Sequence, residues 1–466
     1  MSFLARERTV AGPGFSRWMV PPAALCVHLC IGQAYAFSVF NVPLSKLVGI
    51  TQGGPWDQAK LTAVAAAPDD FTIPELGWIF TIAIVMLGLS AAVLGRWVEE
   101  GGPRRAMFTA ACCFGGGLLI SALGVSIHSI WLIYFGYGFV GGIGLGLGYI
   151  SPVSTLIKWF PDRPGMATGM AIMGFGGAAF IASPLSVWLM GQFSTPTHVG
   201  VSEAFVVMGA VYFLFMIVGS IIVRVPAEGW KPEGWTAPAV PKRLVTDKHV
   251  YVYQALKTPQ FWCIWIVLCM NVSAGIGVIG QASLMIQEMF PGKVTAVTAA
   301  GFVGLMSLFN MGGRFFWASA SDVIGRKNTY FVFFLLGIVS YCTVPYTGTI
   351  GSVAAFVIAY GIIFSMYGGG FATVPAYLKD MFGTQYVGAI HGWLITAWSA
   401  AGVIGPVLVN YIRQYNLESG VPKAEAYNNT MYVLAGLLVI GLIANALIRA
   451  VHERHHMRAD KMARAA

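Results

Sequence analysis

Hydrophobic residues fall along this chain in long unbroken runs, separated by short polar loops. Each run is about 20 residues, the length at which an α-helix crosses the hydrocarbon of a bilayer. Twelve spans are predicted, over 17–40, 76–95, 105–126, 130–156, 165–190, 203–224, 259–286, 297–317, 328–346, 351–377, 386–412 and 428–449. The runs are continuous and do not alternate, which excludes a membrane β-barrel. The pattern therefore predicts an all-α, multi-pass membrane protein.

One run is broken by a charge. Arg314 lies inside the stretch 299–317, and no Asp or Glu falls in the middle of any predicted span. A cation at bilayer depth costs roughly 2.5–3.5 kcal/mol on insertion scales. With no acid at that depth, the expected partner is an anion that comes and goes, a substrate. An arginine bonded to backbone at a helix contact is the alternative. Asn310 sits one turn earlier on the same helical face, where it can orient the guanidinium or add a donor. The planar guanidinium fork matches a carboxylate.

Composition agrees: the chain is 57% hydrophobic and 10% charged, with a net charge of +9. The basic residues lie in short loops, so the charge does not point to nucleic acid. Arg6, Arg8 and Arg17, the segment 225–258 and the tail 449–464 share one side, which predicts cytoplasmic termini in a plasma or inner membrane. All seven cysteines fall in predicted spans, against a disulfide framework or a zinc site. The start of the chain resembles a signal peptide, with Arg17 and a small-residue site at Ala34–Ala36. Its apolar segment is longer than a signal core, so it is read as a retained span.

The segment 225–258 divides the chain into a bundle over 1–224 and another over 259–466. The halves repeat at an offset of about 223: Glu99 maps onto Asp322, Gly102 onto Gly325, Gly165 onto Gly388 and Gly169 onto Gly392. Two pseudo-symmetric six-helix bundles rocking about a midplane site are the expected architecture. The repeated motif is Gly95, Glu99, Gly102, Arg104 and Arg105 after span 2, and Asp322, Gly325 and Arg326 after span 8. An acid at a helix end can accept from the N-terminus of a facing helix and pair with loop arginines. These residues are read as a cytoplasmic gate. Subtracting the offset sends Arg314 to Ala91 and His391 to Thr168, so the charged apparatus belongs to the second half. The loop 41–75, with Gly53, Gly54, Pro55, Trp56, Asp57, Asp69 and Asp70, reads as a solvated insertion carrying a short helix.

Four aromatics, Tyr35, Tyr149, Tyr367 and Trp398, are candidates to line the site, with ordinary packing as the alternative. His391 is the candidate proton carrier, and His28 a weaker one. His452, His455 and His456 read as a solvated tail. Gly136, Gly138 and Gly141 match a nucleotide-loop pattern, but within a span they fit close helix packing better. No Walker motif, hydrolytic triad or metal spacing occurs, so neither an enzyme nor a cofactor is expected.

The run Tyr35-Ala36-Phe37-Ser38-Val39-Phe40 with Pro43-Leu44, then Trp159-Phe160-Pro161-Asp162-Arg163 and Thr258-Pro259-Gln260-Phe261-Trp262, is followed by Gly313-Arg314 leading to Ser321-Asp322 and Gly325-Arg326. Together these resemble the oxalate/formate antiporter family of the major facilitator superfamily, related to the monocarboxylate transporters. Arg314 matches the family's substrate-binding arginine of span 8. The position of its span-11 lysine falls on Trp398, which leaves one cation fewer and favours a monoanion. Asn310 stands where animal monocarboxylate transporters carry an aspartate. Bacterial monocarboxylate-carrying relatives resemble this chain in Asn310 and His391. The resemblance implies a secondary active transporter for lactate-, pyruvate- or formate-like anions, working as a monomer with a co-transported proton or a counter-anion. Its substrate shell would be Arg314, Asn310, Tyr149, Tyr367, His391, Trp398 and Tyr35. An oxalate-type dicarboxylate exchanger and a non-transporting carboxylate receptor are the other readings.

Overall fold

The computed structural model describes residues 3–52, 65–236, 244–246, 248–279, 281–294 and 296–457. Eleven helical stretches among them are long and apolar enough to cross a membrane. They are α1 (Arg17–Leu44), α2 (Glu75–Gly101), α3 (Pro103–Ser126), α4 (Ile130–Trp159), α5 (Pro164–Phe193), α6 (Val201–Ile222) and α7 (Pro259–Ile279), then α9 (Arg326–Thr349), α10 (Val353–Phe382), α11 (Val387–Glu418) and α12 (Lys423–Leu447). Between them runs α8 (Ala296–Ile324), whose apolar face is interrupted by Asn310 and Arg314. The fold is all-α with twelve long helices, as the runs predict.

Local sequence explains the boundaries. The helix of α2 opens with a capping box, in which Thr72 N donates to Glu75 Oε2 at 2.8 Å and Glu75 N donates to Thr72 Oγ1 at 3.4 Å. It stops at Gly102, and Pro103 opens α3. Gly102 has φ +83° and Gly325, between α8 and α9, has φ +88°. Side chains rarely adopt that conformation, which accounts for glycine at both ends of the repeat offset.

Several helices depart from regularity, α11 among them, which is interrupted at Ile395. Gly32–Phe40 of α1 is wound as a 3-10 helix, and Tyr134–Gly141 of α4 as a π-helix. The span expected over 259–286 is divided: α7 ends at Ile279, and a separate helix Ala282–Met289 restarts where Met285 N donates to the Gln281 carbonyl at 2.8 Å. That outer piece is pinned by Glu288, which accepts from Arg413 at 2.6 and 3.1 Å and from the Tyr427 hydroxyl at 2.7 Å.

In the loop after α1, a short helix Gly49–Gln52 is held by Asp70, whose carboxylate accepts from the backbone of Val48, Gly49 and Ala67 at 2.7–2.9 Å. Gly53, Gly54, Pro55, Trp56 and Asp57 lie outside the described residues. On the opposite face, Val10 bridges Val225 and Val250 bridges His456, so each chain end is tied to one end of the central segment.

Three helices position the site. α8 runs packed between α5 and α10. Their backbones approach so closely that a Cβ on Gly169 of α5 would lie 2.8 Å from the Arg314 carbonyl. One on Gly368 of α10 would lie 2.2 Å from the Asn310 carbonyl.

Candidate functional site

Arg314 is fully buried where α5, α8 and α10 cross. Its Nε donates to Asn310 Oδ1 at 3.0 Å, the bond expected from their spacing of one turn. Its Nη1 donates to the Ile172 carbonyl of α5 at 3.2 Å. Its Nη2 has no partner. Phe175 and Phe371 face the guanidinium, with Cζ 5.6 and 5.2 Å from their ring centres. No carboxylate pairs with Arg314 among the described residues. Cation–π contacts contribute about 0.5–2 kcal/mol each, short of what an opposing ion would supply.

An aromatic box closes around this cation. Tyr149 lies 5.4 Å from Trp398 and 5.6 Å from Phe175, ring centre to ring centre. Trp398 lies 4.4 Å from Phe371 and 5.4 Å from Phe175. Tyr35 and Tyr367 share a hydroxyl–hydroxyl bond of 2.9 Å across α1 and α10. His391 comes within 5.9 Å of Tyr149. The seven residues singled out in the sequence thus share one buried region. His28 is beside them, with Nε2 3.3 Å from the Tyr149 carbonyl.

The unsatisfied groups of this box have a common character. Arg314 Nη2, the Tyr149 hydroxyl and Trp398 Nε1 are buried, make no bond of ordinary hydrogen-bond geometry and can all donate, although the Tyr149 and Tyr35 hydroxyls lie close enough to interact with the guanidinium. The Nδ1 atoms of His28 and His391 are unpartnered too. An unmade bond from a buried donor costs about 1–3 kcal/mol, more for a charged one. A buried guanidinium with an unbonded nitrogen and two further buried donors beside it has room for an acceptor.

Phe175, Phe371, the Ile172 carbonyl and Gly176 were not foreseen. A Cβ on Gly176 would sit 2.6 Å from Arg314 Nε, so its glycine makes room for the side chain. Phe371 follows Tyr367 by one turn and could have been found from that spacing. Phe175 has no such signal among 30 phenylalanines.

The two acids of the repeat each reach across to the opposite half. Asp322 accepts from Gly165 N and Met166 N at the start of α5, both at 2.9 Å. Glu99 accepts from Gly388 N at the start of α11 at 3.0 Å. Gly95 lets α2 meet α11, since a Cβ there would lie 2.9 Å from Ala389 Cα. Arg326 binds Ser321, Asp322 and Asp380. Arg104 and Arg105 do not take the role expected of them. Lys158, from the last turn of α4, pairs with Glu99 at 2.6 Å instead. Arg104 turns toward backbone carbonyls, and Arg105 stacks on Trp97 at 4.9 Å. At another contact between the halves, Ser399 of α11 donates to the Ile84 carbonyl of α2 at 3.0 Å.

A profile described as Major Facilitator Superfamily matches residues 15–406. The chain belongs to that superfamily: it is a multi-pass membrane transporter and not an enzyme. It is 28% identical over 397 residues to the oxalate:formate antiporter of Oxalobacter formigenes, covering 84% of this chain and 83% of that one. It is 23% identical over 450 residues to apicoplast pyruvate carrier 1 of Toxoplasma gondii, covering 81% and 80%. Among solved structures, the E. coli fucose:proton symporter FucP superposes with a TM-score of 0.63 at 13% identity, covering 94% of this chain and 100% of that one. The human organic anion transporter MFSD10 superposes with a TM-score of 0.64 at 12% identity, covering 93% and 100%.

Proposed function

We propose that this transporter carries small monocarboxylates of the lactate, pyruvate or formate kind by alternating access. One observation carries the reading: Arg314 and Trp398 keep buried donors without partners, and no second arginine or lysine shares their box among the described residues. The substrate carboxylate takes Arg314 Nη2, with the Tyr149 hydroxyl and Trp398 Nε1 as further donors. Asn310 holds the guanidinium in register, and Tyr35 and Tyr367 close the box across the two halves. Trp398, Phe175 and Phe371 limit the size of the group attached to the carboxylate. The names of the relatives, an antiporter of oxalate and formate and a carrier of pyruvate, support a small carboxylate. His391 is the residue that would hold a proton travelling with the anion; without one, the carrier exchanges one anion for another. The gate of Glu99, Gly95, Gly102, Asp322, Gly325 and Arg326 holds the cytoplasmic side, with both termini on that side of a cell membrane and the monomer as the working unit.

The test is uptake of labelled lactate and oxalate into proteoliposomes, with and without internal anion and an inward proton gradient. Arg314→Ala is expected to lower lactate uptake roughly 30- to 1000-fold, the loss that follows when one partner of a buried charge pair is removed. Undiminished uptake would make the arginine structural. Gradient-driven uptake that His391→Gln abolishes identifies proton coupling; uptake that requires internal anion identifies exchange. Stronger competition by oxalate than by lactate would select the dicarboxylate reading, with protonated His391 as its second cation.

A further inference from the structure

The end of α6 opposite the site carries more positive charge than its structure uses. Arg104, at the start of α3, is only 2% exposed. Its Nη1 donates to the Phe3 carbonyl at 3.1 Å, its Nη2 points at the Ile221 carbonyl at 3.5 Å, the Phe3 ring lies over its guanidinium with Cζ 4.6 Å from the ring centre, and its Nε has no partner. Arg224 donates to the carbonyls of Ile221, Ile222 and Val223 at 2.6, 3.3 and 2.9 Å. Two guanidinium groups thus converge on one carbonyl oxygen, that of Ile221. The N-terminal arm adds a third. Val225 N donates to the Thr9 carbonyl and Ala11 N to the Val225 carbonyl, both at 2.9 Å, which brings Arg8 alongside Arg224. Arg8 and Arg224 are both within electrostatic range of Arg104.

The second half shows what capping alone requires. Lys327 stands at the repeat offset from Arg104 (327 − 223 = 104) and caps the end of α12. It donates to the carbonyls of Ala446 and Ile448 at 2.9 and 2.8 Å. Lys327 bonds two of the carbonyls there; in the first half Arg104 and Arg224 share one carbonyl, with Arg8 nearby. A helix C-terminus offers about half a negative charge. The neighbouring acids are committed: Glu99 to Lys158, Glu100 to Arg96 and Asp162 to Arg17. Glu7, on the same arm, pairs with none of the three arginines among the described residues.

We infer that Arg8, Arg104 and Arg224, between the ends of α3 and α6 and the N-terminal arm, form a binding site for a phosphate-bearing anion. Guanidinium groups match phosphate oxygens in geometry and charge, and basic pockets between helices at the inner surface of a membrane receive headgroups. The phosphate could belong to an anionic lipid or to a soluble species, and the experiment separates them.

The full-length protein in detergent micelles is melted with dioctanoyl phosphatidylglycerol, with zwitterionic dioctanoyl phosphatidylcholine or with inorganic phosphate. The glycerol lipid is expected to raise the midpoint of wild type by about 3 °C, and the choline lipid to leave it unchanged. Arg8→Gln with Arg224→Gln is expected to abolish the shift. Arg449→Gln with Arg454→Gln, an equal charge loss elsewhere, keeps it. An equal shift from inorganic phosphate assigns the site to soluble phosphates. If the double variant fails to fold, Arg8→Gln alone, on the exposed arm, is expected to lose about half the shift. No shift with any anion in wild type, or a full shift in the Arg8 variants, overturns the inference.

Discussion

Arg314 does more than carry a charge, because its surroundings decide what that charge can hold. Its Nε and Nη1 are spent on Asn310 and Ile172, which leaves Nη2 without a bond of ordinary geometry in the region that the Tyr149 and Tyr35 hydroxyls share with the guanidinium. That supplies donors for one carboxylate and no balance for a second. Trp398, 4.4 Å from Phe371 and 5.4 Å from Tyr149, stands, on the resemblance, where the family carries a second cation. Trp398→Lys is therefore expected to raise the preference for oxalate over lactate by tenfold or more, about 1.4 kcal/mol. The ratio of their inhibition constants measures it and cancels any general loss of folded protein. An unchanged ratio would show that Trp398 does not set the charge of the substrate. Arg314 and Asn310 could be read from the sequence because a polar pair inside an apolar run is conspicuous at once. Phe175 and the unbonded donors could not, because they become distinctive only when six helices converge.

At the scale of helices, the repeat was legible for a similar reason. Gly102 and Gly325 are glycines because the backbone at both takes positive φ, and Glu99 and Asp322 are acids because each faces a helix N-terminus. The partner of Glu99 was not legible, since Lys158 is 59 residues away and reaches it only through the packing of α4 on α2. Nor was the division after Ile279, which leaves the apolar run unbroken in the sequence. The two halves have also diverged. Arg326 links Asp322 to Asp380, whereas the offset positions in the first half are Pro103 and Ile157. If the proposed gate holds, each acid contributes about 1.5–3 kcal/mol to it through bonds to a charged group. Glu99→Gln or Asp322→Asn is expected to raise the labelling of Thr168→Cys, buried beside α10, by an impermeant thiol reagent about tenfold in a background without native cysteines. Labelling at the wild-type rate in both variants would deny the two acids a gating role.

For the molecule as a whole, the halves meet along α5 with α8 and α2 with α11, and the site lies between those seams. Contacts such as Gly165 against Ala318 and Gly392 against Ala91 are too close for any side chain, and under the proposed alternating access these glycine seams are where the halves would part as rigid bodies. Among the described residues no acid pairs with the arginine between them, and under the proposed function this has an electrical consequence. A monoanion makes the loaded carrier neutral, so voltage acts only on the empty return step. If a proton travels as well, loaded and empty forms bear the same charge, and the effect of voltage cancels around the cycle. The full membrane potential is worth roughly 2.3 kcal/mol per charge per 100 mV. Net lactate uptake into proteoliposomes clamped at different potentials should therefore be steep when the anion moves alone and flat when a proton accompanies it. Anion-for-anion exchange, which never uses the empty form, should be flat, and a voltage-dependent exchange would mean that Arg314 is not neutralised by its cargo. The missing carboxylate turns the membrane itself into a gauge of what the carrier moves.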